Sequence, residues 1–190
     1  MSRGIVKTCI LAGCLFFACV AATAQEVVHA LTGTVSSIDA AGKTFTVFTD
    51  NHSDGFFKDR TNSKAPIKLD RKIRSDATTD DASKKQGAYV IVFYFGEGEA
   101  RNAVGLRSLG PGPFTRSTGT VVKFEGKEHS LSIKDESGEI ESFKITSDTV
   151  AETSTGVVDG FKFEPQKGDH VQVTAAAASG SATALFVNAL

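Results

Sequence analysis

One pattern is written twice in this chain. The stretch "LTGTVSSIDAAGKTFTVFTD" (Leu31 to Asp50) returns as "STGTVVKFEGKEHSLSIKDESG" (Ser117 to Gly138). Gly33 matches Gly119, Val35 matches Val121, and Phe45 and Val47 match Leu131 and Ile133, always 86 positions apart. Further on, "KKQGAYVIVFYF" matches "PQKGDHVQVTAA" through Gly87 and Gly168. "NAVGL" matches "TALFV" through Ala103 and Ala184, both at a spacing of 81. A repeat at constant spacing means two copies of one supersecondary unit. Between the copies, "LGPGPF" (Leu109 to Phe114) holds two prolines and two glycines, which sustain neither strand nor helix. The expected organisation is a leader at 1–24, a first unit at 25–109, a linker at 110–116 and a second unit at 117–190. Each unit is expected to fold by itself, with few contacts crossing the linker.

Within each unit apolar and polar residues alternate. Thr44-Phe45-Thr46-Val47 and Ser130-Leu131-Ser132-Ile133 put apolar side chains on one side of a pleat and hydroxyls on the other. Pro66 to Leu69 and Phe143 to Thr146 read as third strands, and Val90 to Tyr94 and Val171 to Val173 as fourth. In "TTDDASKKQG", Thr79 is a candidate N-cap, with Asp80 and Asp81 in the first turn and Lys84 and Lys85 in the last, so a short helix is expected between the third and fourth strands. Five short strands with a brief helix before the fourth give an all-β fold. The expectation is two tandem five-stranded barrels of OB-like closure, or alternatively SH3-like, because a unit this small buries one apolar face most economically by closing its sheet.

The first 24 residues carry Arg3 and Lys7, an uncharged apolar run, and Ala22-Thr23-Ala24, the layout of a secretory signal cut after Ala24. The alternative, lipidation at Cys14, has its apolar stretch after the cysteine instead of before it. All three cysteines lie in the leader. The exported chain is therefore expected to rely on packed cores without disulfides or a membrane anchor, in the periplasm or outside the cell. Losing Arg3 and Lys7 takes the net charge from −1 to −3, which does not mark a dedicated nucleic-acid protein.

The succession "GTVSSIDAAGKTFTV", "KKQGAYVIV", "NAVGL", repeated as "GTVVKFEGKEHSLSI", "QKGDHVQV", "TALFV", resembles the bacterial exported repeats called domain of unknown function family 5666. The resemblance implies a secreted bacterial β-domain and no known chemistry.

The copies differ in one place that suggests a site. Gly33 to Ile67 spans 34 positions, whereas Gly119 to Phe143 spans 24. On that alignment the first unit carries ten extra residues between its second and third strands, within "DNHSDGFFKDRTNSKAP". Phe56 and Phe57 sit there beside Lys58, Arg60 and Lys64. Aromatic faces next to cations on a loop at a barrel mouth suit a single nucleic-acid strand or an anionic glycan. The two units also differ in charge, 25–116 being net +2 and 117–190 net −5. Contact with another envelope protein is the competing expectation.

Other chemistries find little support. "DNHSDG" (Asp50 to Gly55) has the acids and glycine of a calcium loop but lacks the chelating glutamate, with Thr61 in its place, and reads better as a hairpin turn. A copper site needs soft ligands, and no cysteine or methionine follows the leader. His29, His52, His129 and His170 are scattered singly, so neither metal nor cofactor is expected. There is no G-x-S-x-G elbow and no H-E-x-x-H helix. The acids Asp135, Glu136, Glu139 and Glu141 surround a hairpin where solvation accounts for them. A non-catalytic binding or structural protein is the expectation.

Overall fold

A computed structural model describes residues 26–61, 67–69, 71–76, 84–177 and 181–190. The leader, Lys64 and the expected helix start at Thr79 to Asp81 lie outside these residues. The architecture is all-β, in two units.

In the first unit β2 (His29–Asp39), β3 (Thr44–Thr49), β4 (Asp54–Asp59), β6 (Tyr89–Phe95) and β7 (Asn102–Ser108) close a barrel in the order β2-β3-β4-β7-β6. Its third strand pairs with its fifth in parallel, Lys58 opposite Asn102. That is the Greek-key closure of an OB barrel. The second unit repeats it with β8 (Phe114–Glu125), β9 (Ser130–Lys134), β10 (Ile140–Lys144), β13 (His170–Ala176) and β14 (Ala182–Ala189). Again the third strand pairs in parallel with the fifth, Phe143 opposite Ala182. Each barrel has its own core, built on Val35, Phe45, Val47 and Phe57 in the first and on Val121, Leu131, Ile133 and Phe143 in the second.

The doubled Thr-Gly-Thr-Val phrase marks the point where the first strand bends hardest. The register shifts between Val35 and Ser37, and again between Val121 and Lys123, so both first strands carry a bulge at the same place. A bulge adds the twist that lets a small sheet close. Just before it, the glycine backbone lies against the next strand. A Cβ at Gly33 would sit 2.4 Å from the Phe48 carbonyl oxygen, and one at Gly119 would sit 2.5 Å from that of Lys134. We therefore expect Gly33→Ala and Gly119→Ala each to cost about 1–3 kcal/mol through overpacking, read as a lower urea midpoint at unchanged slope. An unmoved midpoint would show that the strand has slack.

Three expectations need correction. The third strand of the first unit is Asp54–Asp59, not Pro66 to Leu69. The 86-position spacing runs on through it, setting Phe57 against Phe143, so there are no ten extra residues between the second and third strands. The length difference falls later, between the third and fourth strands. There the first unit has β5 (Ile67–Lys68), which pairs in parallel with β1 (Glu26–Val27), and the helix α1 (Arg71–Asp76). The second unit has instead the hairpin β11 (Val150–Thr153) and β12 (Gly156–Asp159). Third, β8 begins at Phe114, inside the stretch expected to be linker.

Nor do the units stand apart. Val28, Ala30, Ile73, Ile91 and Phe93 of the first pack with Val150, Val157 and Phe186 of the second in one buried cluster. The Val157 N–H donates to the Val28 carbonyl at 2.9 Å. Polar contacts frame the seam: Lys72 Nζ donates to the Ser147 carbonyl at 2.6 Å, and Arg107 Nη2 to that of Asp148 at 2.8 Å. β6 is therefore buried on both faces, Val90 and Val92 inward and Ile91 and Phe93 toward the partner unit. Among the described residues no helix is long and apolar enough to cross a membrane.

Candidate functional site

The β3–β4 ladder sets Thr44 against Lys58, Thr46 against Phe56 and Phe48 against Asp54. Because side chains alternate across a strand, those six share the outer surface, while Phe45, Val47 and Phe57 fill the barrel. The outer surface therefore displays two rings, Phe48 at 47% and Phe56 at 40% exposure. Phe48 is one strand repeat from Thr46, the partner of Phe56, so the two residues are diagonal neighbours whose backbone positions lie roughly 7–8 Å apart. Lys58 extends the row, and His52 tilts over Phe48 with ring centroids 6.2 Å apart. The outer face of these two strands is the surface OB barrels use for extended polymers.

Of the expected site residues, Phe56 and Lys58 meet on this face. Phe57 does not: it is wholly buried, its ring stacked on Phe45 at 5.3 Å and edge-on to Tyr94 at 5.5 Å. Alternation forbids two adjacent strand residues from facing the same way, so Phe57 cannot stack on a ligand. Arg60 is exposed just past the end of β4, and Lys64 lies outside the described residues. Phe48 escaped the sequence reading, although "TFTVFT" signals it as an aromatic residue at an outward position.

The same face of the second unit carries Ser130, Ser132, Lys134, Ile140, Ser142 and Lys144. Ser132 and Ser142 hydrogen-bond each other at 2.8 Å. No ring stands there.

The turn at 50–53 joins β3 to β4, and the Asp50 carboxylate is already occupied. It accepts from Thr32 Oγ1 at 2.6 Å and from the Tyr89 hydroxyl, and it pairs with Arg116 of β8 at 3.1 Å. The Arg116 guanidinium lies 5.0 Å from the Tyr89 ring centroid. On the other side of the seam, Glu152 meets His29 Nδ1 at 2.6 Å and accepts from the Ala30 N–H at 2.7 Å. Burial raises the Glu152 pKa, against the opposing hydrogen bond from His29. His52 sits beside Phe48, His129 is stacked on Phe161 at 4.2 Å, and His170 lies 3.4 Å from Thr120 Oγ1. The four histidines thus occupy separate places, and among the described residues no group of three or more His, Cys, Asp or Glu side chains could hold a metal ion. Asp135 accepts from Ser137 Oγ and from the Glu139 N–H within its own hairpin.

Compared with known proteins, the chain matches no family model and no curated sequence.

Proposed function

We propose that the chain is an exported, non-catalytic binding protein of the bacterial cell envelope, whose first barrel holds an oligosaccharide across the outer face of β3 and β4. The observation that carries this reading is the exposed pair Phe48 and Phe56 on those strands of an OB-type barrel. Neighbouring apolar rings exposed on a surface otherwise lined with threonine, Asp54 and Lys58 mark an interaction site, and a sugar ring covers such a face with its C–H side. Export rests on the leader, with Arg3 and Lys7, the apolar run and Ala22-Thr23-Ala24.

Charge favours a glycan over a nucleic acid. A single-stranded polyanion is tracked by a groove of cations, whereas here Lys58 lines a shallow hollow with Glu99 and the far end of the same face carries Asp54. An uncharged or weakly anionic glycan fits that balance better. Titration of the purified protein with an oligosaccharide panel, beside oligonucleotides at low and moderate salt, tests the reading. Phe48→Ala and Phe56→Ala should each weaken glycan binding, by about 1–3 kcal/mol if a sugar stacks as a base does, and leave the melting temperature within about a degree, since both rings are exposed. Binding undisturbed by either change, salt-sensitive retention of oligonucleotides alone, or salt-insensitive self-association in place of binding would each sink it.

A further inference from the structure

Between the two barrels lies a cleft of about 700 Å³, walled by β2, the β3–β4 turn and Arg101 on one side and by β11, β13 and β14 on the other. Clefts between units are common ligand sites when a few polar groups converge in them. Two of its charged groups already have partners. Asp50 is held by Arg116, Thr32 and Tyr89, and Glu152 by His29 and the Ala30 N–H.

Arg101 is different. Its Nε is buried without a hydrogen-bond partner, and no carboxylate pairs with its guanidinium among the described residues. The guanidinium lies over two rings, 5.3 Å from the centroid of Tyr94 and 5.8 Å from that of Phe57. Bare backbone at Gly55 makes the room: a Cβ there would come within 2.9 Å of the Phe57 ring and 3.4 Å of Arg101 Nη1. The second unit reverses this pair. In its ladder Glu141 stands where Gly55 does, opposite Ile133 as Gly55 is opposite Val47. Ala182 stands where Arg101 does, immediately before the partner of Lys144 as Arg101 is immediately before the partner of Lys58. The first unit thus has the cation and no acid beside it, and the second has the acid and no cation.

We propose that this cleft binds a small polar molecule through a single carboxylate held by Arg101. A guanidinium fixed against aromatic faces presents a planar fork that matches a carboxylate. Asp50, Glu152, Glu164 and Asp169 also line the cleft, so a second negative charge on the ligand meets repulsion, while hydroxyl or ammonium groups find acceptors. Sugar acids and amino acids share this chemistry. The site is independent of the oligosaccharide face, since Phe48 and Phe56 are on the outer surface and Arg101 packs on the inward ring of Phe57.

Amide NMR titration of the purified protein separates the possibilities, with sodium glucuronate, alanine, inorganic phosphate and uncharged methyl glucoside as probes. Glucuronate or alanine, at roughly 1–10 mM, should shift the amides of Tyr94, Arg101 and Glu152. In R101Q that affinity should fall about tenfold or more, and R101K, which keeps the charge and loses the fork, should fall in between. Should R101Q fail to fold, R101K against the wild type carries the comparison. The proposal is overturned if no probe shifts these amides, if phosphate alone does so, if methyl glucoside does so as well as glucuronate, or if the arginine variants bind as the wild type does.

Discussion

Phe186→Ala is expected to destabilise the whole chain by about 3–5 kcal/mol, the usual cost of removing a buried phenylalanine, and to do so in both units at once. Phe186 belongs to β14 of the second unit but is buried against Val28, Ile91 and Phe93 of the first. The chain itself supplies the readout. It has no tryptophan and two tyrosines, Tyr89 and Tyr94, both in the first unit. Tyrosine fluorescence therefore follows the first unit while far-ultraviolet circular dichroism follows both. If the seam is a true core, the two signals fall together and shift together in the variant. The stretch 114–190, which keeps β8 whole, bares Val150, Val157 and Phe186 when made alone and melts well below the full chain. Two separate transitions, with the tyrosine signal unmoved by Phe186→Ala, would restore the independent units that the glycine-proline connector suggests.

Two neighbouring phenylalanines give the second large effect. Phe57→Ala should cost about 3–5 kcal/mol, because its ring is wholly buried between Phe45 and Tyr94. Phe56→Ala, one position away on the opposite face, should stay within about 0.5 kcal/mol. Urea denaturation of both variants checks the assignment. Equal losses, or a larger loss at Phe56, would mean that β4 is turned over by one residue, which would exchange every inward and outward side chain of the strand.

The repeat made most of the fold legible. Constant spacing located both first strands, the hairpins and the glycines that open each fourth strand. Gly87 and Gly168 take positive φ and donate to the carbonyls of Val35 and Val121. The third strand of the first unit was misplaced because Asp50 to Gly55 looked like the start of an insertion. Following the 86-position spacing ten residues beyond Val47 sets Phe57 against Phe143 and places it in the core. The seam left a signal as well. "YVIVFYF" is apolar without alternation, the mark of a strand covered on both sides, whereas its counterpart "HVQVTAA" alternates. The ion pair between Asp50 and Arg116 had no such signal, since residues 66 positions apart in sequence meet only once both barrels are closed.

Burial of Tyr89–Phe95 on both sides also sets an order in time. The first unit can close its barrel as soon as Ser108 has been made, yet the cover on Ile91 and Phe93 is completed only by Val150, Val157 and Phe186 of the second unit, the last of them 93 residues after Phe93. In a chain made without its leader, at a synthesis rate of about 5–20 residues per second, that gap lasts roughly 5–20 s. During it the nascent chain displays a greasy strand surface, the kind to which holding chaperones bind. Chains arrested at increasing length should be captured by such a chaperone after residue 108 and released near residue 190. Release well before Phe186 is reached would mean that something else covers the strand first.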